Sequence, residues 1–344
     1  MTQKNFGCLG VFLVIILGLS VLLNVIFIIA QSASMSAGIV AGKAPHFEEA
    51  VVVDAKSGKD VKESEGKIAL IALRGIITSA EPGAIGESAI DDIKLQLKQA
   101  GDDEKVKAVV LYVDSPGGEV TASDIIYNAV RKVRDQQKKP VVVYMGSLAA
   151  SGGYYVACGG SWLIANETTL TGSIGVIMQS LNYEQLFGKL GLSTVTFKSG
   201  QFKDMLSGSR QMTDAEKEYV QSLIMQTYGK FVGIVARERK LDENELRNGL
   251  ADGRVISGKD ARDAKLVNSL GEIEDAYAKA MDLAKIKNAS VIRYESPFRF
   301  ARLFRLLGQS EASRKTKVEV KLADSFAPRL EAGRLYFLPA SYAP

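Results

Sequence analysis

The chain has 344 residues, of which 47% are hydrophobic and 24% charged, and its formal net charge is +4 at pH 7. These values are ordinary for a globular protein with one extra apolar segment, and the small, scattered charge argues against a nucleic-acid partner. The sequence contains two cysteines, Cys8 and Cys158, and one histidine, His46, in an apparent connecting segment. This composition argues against a disulfide framework, a multi-cysteine metal site and a Ser-His-Asp triad.

An apolar segment without charged residues lies near the N-terminus, at Val11 to Ala30. A run of about 20 apolar residues matches the thickness of a bilayer core, which predicts a transmembrane anchor over residues 11–31 after a short cytoplasmic N-terminus. The apolar core of a cleaved signal peptide is shorter, although small residues at 32–37 leave cleavage open. Lys4 is the only charge nearby. By the positive-inside rule it favours a single-pass protein of the cell membrane with its N-terminus in the cytoplasm and its main domain outside the cytoplasm.

Residues 32–66 are interpreted as a linker, and alternating strand and helix patterns then predict an α/β domain over residues 67–290. This alternation implies a parallel sheet with functional groups at the carboxyl ends of its strands. Residues 291–344 are interpreted as a C-terminal extension. The predicted strands are 68–77, 106–113, 141–144, 162–165, 193–197 and 290–294. The predicted helices are 89–100, 122–136, a short helix after Ser151, 183–190, 213–239, 243–250, 258–264 and 273–285.

A candidate nucleophile follows the third predicted strand, in the sequence Ala149-Ala-Ser-Gly-Gly153. This is a loosened form of the G-x-S-x-G elbow, in which small neighbours let the backbone turn sharply and let a substrate carbonyl approach. The N–H of the next residue then points at the oxygen on which negative charge develops. Ser151 is therefore the candidate and Ser147 a weaker one. The alternative is a small-residue helix start packed under a strand.

A second chemical feature follows the second predicted strand, in Asp114-Ser-Pro-Gly-Gly118. Consecutive glycines at a strand end leave backbone N–H groups free to face a ligand. One of them can form an oxyanion hole together with the N–H of Gly152. Taken alone, Pro-Gly-Gly is equally an ordinary turn.

The base for Ser151 has to be neutral at the working pH. Aspartate and glutamate are too weak as bases, tyrosine is too protonated, and lysine works if burial and the absence of a close carboxylate lower its pKa. Lys198 and Lys203 both lie in a glycine-containing loop after the predicted strand 193–197. Either is otherwise a solvated surface lysine. A pair between Asp204 and Lys203 would raise the lysine pKa and count against Lys203.

Four motifs together resemble the signal peptide peptidase A family, in that family's order and over about residues 67–290. They are Asp114-Ser-Pro-Gly-Gly118, Met145-Gly-Ser-Leu-Ala-Ala-Ser-Gly-Gly-Tyr-Tyr155, Leu170-Thr-Gly-Ser-Ile-Gly-Val176 and Lys198-Ser-Gly-Gln-Phe-Lys-Asp204. The likeness is to the short, single-repeat bacterial form. It implies an α/β fold of the Clp protease and crotonase type, built from repeated β-β-α units, and a serine–lysine dyad that needs no metal or organic cofactor.

The resemblance also implies a role for each matching residue. Ser151 is the implied nucleophile and Lys203 the general base, while Gly118 and Gly152 supply the oxyanion-hole N–H groups and Ser173 orients the lysine ammonium. The implied substrates are signal peptide remnants and other hydrophobic or unfolded peptides. The implied assembly is a ring-like homo-oligomer whose sites are completed by neighbouring subunits.

The C-terminal extension carries two apolar segments. Residues 298–307 interleave apolar and arginine positions, which suits a membrane surface, a neighbouring subunit or a plain surface helix. Residues 333–340 are hydrophobic, and the resemblance implies that such a tail occupies the substrate groove and is trimmed by the enzyme itself. Two other functions remain open: a crotonase-like acyl-CoA enzyme, against which the anchor and the elbow serine argue, and a non-catalytic membrane scaffold of the same fold.

Overall fold

The structure is a computed structural model that describes residues 16–25, 27, 47–54, 64–79, 89–295 and 335–337. It divides into two compact units, Met1–His46 and Phe47–Pro344. In the first unit, residues 16–25 and 27 are helical, and the remainder of the anchor predicted at 11–31 lies outside the described residues, as do His46 and residues 298–307. Within the described ranges, no helix combines the length and the hydrophobicity that a bilayer span requires.

The second unit alternates strands and helices along most of its described length. The strands are β1 (Glu48–Asp54), β2 (Lys67–Ile77), β3 (Val106–Glu119), β4 (Val141–Ala150), β5 (Trp162–Ala165), β6 (Leu170–Gly172), β7 (Val255–Ser257), β8 (Ser269–Leu270), β9 (Ser290–Glu295) and β10 (Tyr336–Phe337). The helices are α1 (Ala89–Asp102), α2 (Val120–Arg131), α3 (Gly152–Ala157), α4 (Glu184–Lys189), α5 (Asp214–Arg239), α6 (Glu243–Asn248), α7 (Gly258–Asp263) and α8 (Ile273–Ala284), and α2 continues into a π-helical turn at Lys132–Gln136.

The strands form one sheet whose main path is β1-β9-β2-β3-β4-β5-β8. All neighbours along this path are parallel except β1, which runs antiparallel to β9. The predicted parallel α/β sheet is therefore confirmed. Two further strands attach to the central strands: β6 pairs in parallel with the end of β4, and β10 pairs antiparallel with the end of β3.

The central strands are buried on both faces, as parallel strands covered by helices are. In β3, Val109, Leu111 and Val113 face the larger core, which includes residues of α1, α2, α3 and α5. Ala108 and Val110 point to the opposite face, where α8 packs through small and aromatic side chains. All five of these strand residues are fully buried. Their continuous apolar sequence therefore reflects a strand with no solvent-facing side.

Two central strands extend further than their apolar runs predicted. β3 continues through the Pro-Gly-Gly sequence to Glu119, and β4 continues through Gly146 to Ala150. Both extensions are held by tertiary pairing, since the end of β3 lies between β2 and β10 and the end of β4 pairs with β6. The turn interpretation of Pro-Gly-Gly is therefore wrong, because pairing keeps this segment extended.

The prediction of a strand at 193–197 is also wrong. These residues are irregular and exposed, and the Phe197 side chain is 95% accessible. β-branched residues favour a strand only where a neighbouring strand pairs with them, and among the described residues none does so here. Conversely, part of the predicted linker 32–66 is ordered, because Glu48–Asp54 forms β1 and pairs with β9.

Candidate active site

Ser151 lies at a sharp turn between β4 and α3. Its backbone has φ 52° and ψ −115°, which is rarely adopted by a residue with a side chain and costs about 1–3 kcal/mol. The Ser151 N–H donates to the Gly172 carbonyl at 2.8 Å, and the Ser151 carbonyl accepts from the Tyr155 N–H at 2.8 Å. These two hydrogen bonds tie the turn to β6 on one side and to α3 on the other, so the strained conformation is held from both directions.

The Ser151 hydroxyl is buried and forms no hydrogen bond with the described residues. The residue is 1% exposed, and its Oγ has no hydrogen-bond partner among the described residues. Leaving a buried hydroxyl unpaired costs about 1–3 kcal/mol, and such groups call for a functional explanation. The arrangement leaves the oxygen available to a base and to an incoming carbonyl carbon.

The glycines at the end of β3 approach the start of α3 very closely. Gly117 has φ +105°, and a Cβ atom added to it would lie 2.6 Å from the Gly152 nitrogen. A Cβ added to Gly152 would lie 3.1 Å from the Gly118 nitrogen, and one added to Gly118 would lie 2.0 Å from the Ile77 carbonyl oxygen. The structure thus brings Gly118 and Gly152 together beside Ser151, with space only for glycine.

The C-terminal strand β10 lies in this site. Tyr336 pairs antiparallel with Glu119, and Phe337 pairs with Gly118. On the other side, Tyr336 exchanges two 3.1 Å backbone hydrogen bonds with Ile177. A Cβ added to Gly117 would meet the Phe337 carbonyl oxygen at 2.0 Å. The backbone of β10 is therefore held on both edges, and the Phe337 carbonyl lies close to the backbone nitrogen of the residue after Ser151.

The Phe337 side chain fills an aromatic pocket and is 1% exposed. Its ring stacks on Tyr155 at a centroid distance of 5.0 Å and contacts Phe231 of α5 at 4.7 Å. The Tyr155 hydroxyl donates to Asp124 at 2.6 Å, so its polar end is satisfied by α2. Burial, followed by the bond to Asp124, raises the pKa of Tyr155 far above its usual value. The pocket wall is consequently neutral and apolar where it meets Phe337.

Ser173 lies immediately after Gly172, whose carbonyl holds the Ser151 amide. It is 3% exposed, has φ 50°, and donates its N–H to the Arg254 carbonyl at 2.8 Å. The structure therefore places Ser173 in the same strained, buried corner as Ser151. In contrast, the weaker candidate Ser147 lies within β4 with an exposed side chain, outside the turn.

The two candidate lysines differ in their partners, and neither contacts Ser151. Lys198 donates to Asp204 Oδ1 at 2.7 Å. Lys203 is exposed, and no hydrogen bond or ion pair of its ammonium group is found within the part of the chain that the structure describes. Asp204 also binds Arg210, and these bonds, with Arg210 as the larger influence, hold the pKa of Asp204 well below its usual range. The Asp204–Lys203 pair that would count against Lys203 is thus not formed.

Comparisons with known proteins agree with this geometry. The profile of peptidase family S49 matches residues 133–287, and that of the Clp protease family matches residues 70–179. The chain is 36% identical to a putative signal peptide peptidase SppA of Enterococcus faecium, over 68% of each chain, and 38% identical to a putative protease of Synechocystis, over 63% of this chain and 74% of that one. The chain belongs to peptidase family S49.

The resemblance to signal peptide peptidase A is confirmed by these relatives. A putative protease of Methanocaldococcus jannaschii is 43% identical over 56% of this chain, and the match spans 61% of that protein's length. Among solved structures, a mutant ClpP1 of Listeria monocytogenes matches 60% of this chain and 93% of its own at 16% identity, with a TM-score of 0.41. The S49 match includes both Ser151 and Lys203, while the Clp match includes Gly118 and Ser151. Together they support a serine peptidase.

Three residues of this S49 site were not anticipated from the sequence. Tyr155 and Phe231 form the aromatic pocket, but in the sequence each is one apolar residue of a helix like its neighbours. Arg210 binds both Asp204 and Glu216, and nothing in its sequence context distinguishes it from other surface arginines. Glu216 forms a capping box with Thr213 at the start of α5, which fixes its position.

Proposed function

We propose that this S49 chain is a membrane-anchored serine endopeptidase that cleaves signal peptide remnants and other hydrophobic or unfolded peptides, with Ser151 as nucleophile and Lys203 as general base. The observation that carries the proposal is the buried, unpartnered Ser151 Oγ beside Gly118 and Gly152, with the peptide backbone of β10 seated over them. Acyl transfer requires these parts: a free nucleophile, backbone donors for the oxyanion and an edge that holds the peptide extended.

The proposed reaction has two steps, acylation of Ser151 and hydrolysis of the acyl-enzyme, and Lys203 is the base in both. Neutral Lys203 takes the Ser151 hydroxyl proton as Oγ attacks the substrate carbonyl carbon, and the oxyanion accepts hydrogen bonds from the Gly118 and Gly152 N–H groups. The C–N bond then breaks, the leaving amine takes the proton from Lys203, and an ester forms on Ser151. Water, deprotonated by the same lysine, attacks this ester and releases the acid product. Ser173 is proposed to orient the lysine.

The lysine is proposed to come from a neighbouring subunit of a ring-like homo-oligomer. Ser151 Oγ is buried without a partner in the described chain, while Lys203 is exposed on the segment that follows β6. That segment also exposes Leu181, Val195 and Phe197 at 79%, 75% and 95%. A surface with so many exposed large apolar side chains is typical of an interface between subunits. A second copy of this chain that packs there is proposed to supply Lys203 to the Ser151 of its neighbour.

The substrate preference is proposed to be set by the aromatic pocket. Tyr155 and Phe231 surround the side chain of Phe337, whose carbonyl oxygen lies against Gly117, the residue before the proposed donor Gly118. A substrate residue in the same position, directly before the scissile bond, is therefore expected to be large and apolar. The predicted N-terminal anchor at 11–31 would keep this pocket near the membrane, outside the cytoplasm, where signal peptide remnants are generated.

The first test compares cleavage of fluorogenic peptides by the full-length protein in detergent. Peptides with phenylalanine before the scissile bond are expected to be cut and the matched aspartate peptides left intact, because a carboxylate finds no partner in the pocket. Lys203→Ala is expected to lower kcat by about 10³-fold, the usual contribution of a general base. Lys189→Ala, an exposed lysine at the end of α4, is the control and should retain activity.

Normal cleavage by an assembled Lys203→Ala variant would refute the dyad. An assembled wild-type protein that cuts no peptide would instead favour the scaffold function. Oligomer mass and thermal unfolding, measured on the same preparations, separate these outcomes from misfolding.

The C-terminal tail provides a second test, because β10 lies where a substrate strand would lie. We expect the enzyme to cut its own chain after Phe337, so that intact-mass measurement of the wild type finds a product ending at this residue. Ser151→Ala should retain the full chain, and Phe337→Asp should block trimming because the pocket is apolar. Phe337→Leu, which keeps an apolar side chain, should be trimmed. An untrimmed tail in active enzyme, unchanged in Ser151→Ala, would remove the hypothesis.

A further inference from the structure

Arg210 is the centre of a four-residue ionic cluster beside Lys203, which we call the Arg210 clamp and which consists of Lys198, Asp204, Arg210 and Glu216. Arg210 donates from Nε and Nη2 to the two oxygens of Asp204, at 2.9 and 2.7 Å. It donates from Nη1 and Nη2 to Glu216, at 2.9 and 2.5 Å, and from Nη1 to the Gln211 carbonyl at 2.9 Å. All five N–H donors of the guanidinium are therefore used.

The clamp fixes the lysine loop to the start of α5. Glu216 is 1% exposed and also accepts from the Thr213 N–H at 2.9 Å, as part of the helix capping box. Arg210, followed by Thr213, lowers the pKa of Glu216 to about 2. The Phe202 ring packs on Tyr219 of α5 at 5.4 Å, next to Lys203 in sequence. The position of the loop is thus set by α5 from two sides.

The positive and negative charges of the four clamp residues cancel one another. Two cations, Lys198 and Arg210, face two carboxylates, Asp204 and Glu216, and the ion-pair distances lie between 2.5 and 2.7 Å. Asp204 is the residue directly after Lys203, so it is the nearest carboxylate in sequence. Arg210 binds both oxygens of Asp204, and Lys198 also binds one of them. The negative charge of Asp204 is therefore compensated by these two cations and not by Lys203.

We propose that Arg210 is a positioning residue for catalysis: by binding both oxygens of Asp204, it prevents this carboxylate from pairing with Lys203 and so keeps the lysine able to give up its proton. This inference rests on the proposed function of Lys203 as general base. A carboxylate beside an ammonium stabilises the charged form and raises the lysine pKa, which a general base cannot tolerate. Arg210 thus acts on the lysine through Asp204 and touches neither the substrate nor Ser151.

The other titratable groups around the loop are few. Within the described residues, the loop itself contributes Lys198, Asp204 and Arg210, α5 contributes Glu216 and Tyr219, and Tyr183 before α4 contacts the loop at Gly208. Asp214 in the first turn of α5 pairs with Lys217, whereas Asp204 and Glu216 are both bound by Arg210. Loss of the guanidinium therefore leaves Asp204 with Lys198 and removes the ion pair of Glu216.

The test is the pH profile of kcat/KM for Arg210→Gln, measured on the full-length assembled protein with one fluorogenic peptide. We expect the acidic limb to move to higher pH by about one unit, because Asp204 is released towards Lys203. The decisive variant is Arg210→Gln combined with Asp204→Asn, which removes the released carboxylate and is expected to return the limb to its wild-type position. Arg247→Gln, which removes the exposed ion pair of α6, is the matched control.

A purely structural role gives a different result. In that case Arg210→Gln lowers kcat or thermal stability without moving the acidic limb, and the second substitution in the same cluster makes the loss larger instead of restoring the profile. An unshifted acidic limb in a folded, assembled Arg210→Gln variant would overturn the proposal. A double variant that loses more activity instead of regaining the wild-type profile would also overturn it.

A direct titration keeps the proposal separate from the dyad hypothesis. Lysines are reductively methylated with ¹³C, and the Lys203 signal is identified by its absence in Lys203→Arg. Its pKa is expected to rise in Arg210→Gln and to return in the double variant, with or without peptidase activity. If Lys203→Ala retains activity while this titration behaves as expected, the proposed base is wrong and Arg210 has no catalytic role, although its effect on the Lys203 pKa is established. If the Lys203 pKa is the same in all variants, the clamp proposal is wrong.

Discussion

Ser151→Ala is expected to abolish peptide cleavage, with a loss on the order of 10⁴-fold or more, because the acyl-enzyme can no longer form. The fold should be retained, since Ser151 Oγ has no hydrogen-bond partner in the described parts of the chain. We expect the free energy of unfolding to rise by about 1–3 kcal/mol, because alanine removes a buried hydroxyl that is unpaired in the folded state. Peptide cleavage and urea unfolding, measured on the same preparation, check both statements. Ser147→Ala, exposed on β4, is the matched control and should cut normally.

The same variant tests whether the site is shared between subunits. Ser151→Ala and Lys203→Ala are each expected to be inactive, but co-assembled oligomers should recover about a quarter of wild-type activity, because random neighbours in a head-to-tail ring restore a serine and a lysine at that frequency. If serine and lysine act within one subunit, mixing recovers nothing. Full activity of Ser151→Ala, or loss of activity in Ser147→Ala, would move the nucleophile to another residue.

Gly118→Ala is expected to give the second large effect, on both activity and stability. The added Cβ would lie 2.0 Å from the Ile77 carbonyl oxygen, a backbone atom of the paired strand β2 that cannot turn away as a side chain can. The ends of β2 and β3 must therefore separate. This costs about 1–3 kcal/mol of unfolding free energy, as overpacking typically does. Displacing one oxyanion donor should also lower kcat by about 10²–10³-fold.

Gly188→Ala is the matched control for this substitution. Gly188 lies in helix α4 with no atom within 4 Å of an added Cβ, so alanine there should leave cleavage unchanged. Chemical unfolding and steady-state kinetics on both variants separate the packing effect from the loss of the donor. A Gly118→Ala enzyme with wild-type kcat would show that another group binds the oxyanion.

Much of the fold was predictable because its central strands are buried on both faces. Runs such as Ala108 to Val113 consist of apolar and β-branched residues, and helical spacing between the runs gave the alternation that implies a parallel sheet. Helix α5 lies within the predicted helix 213–239 and begins at a capping box formed by Thr213 and Glu216. These signals are local in sequence, so they are readable without knowledge of the tertiary structure.

The errors occurred where tertiary pairing outweighs local preference. The glycines at 117 and 118 signal a turn, yet they lie in a strand because β2 and β10 bind its two edges. Ser193 to Phe197 have strand-forming residues, but no strand among the described residues pairs with them, and they stay irregular. β1 was included in a linker because its sequence gives no sign of the partner β9, which lies far along the chain.

Only part of the candidate site was predicted, namely the part whose residues are neighbours in sequence or lie at the ends of neighbouring strands. Ser151 and Gly152 are adjacent in sequence, and Gly118 lies at the carboxyl end of the neighbouring parallel strand β3, so sheet geometry is enough to bring them together. The aromatic pocket joins Tyr155 to Phe231 and Phe337, which are distant in sequence and belong to different elements. No local pattern records such a contact. The position of Lys203 relative to Ser151 depends on assembly and stays a prediction.

The turn at Ser151 also has a consequence for the timing of synthesis. Its strained backbone is held by Gly172, its pocket is walled by Phe231, and the strand carrying Phe337 closes it. All three leave the ribosome after the serine does. A nascent chain therefore contains Ser151 without the contacts that hold its conformation, and the turn at Ser151 forms these contacts only after the later residues have been synthesised. The contacts around Ser151 are therefore complete only after Phe337 has been synthesised.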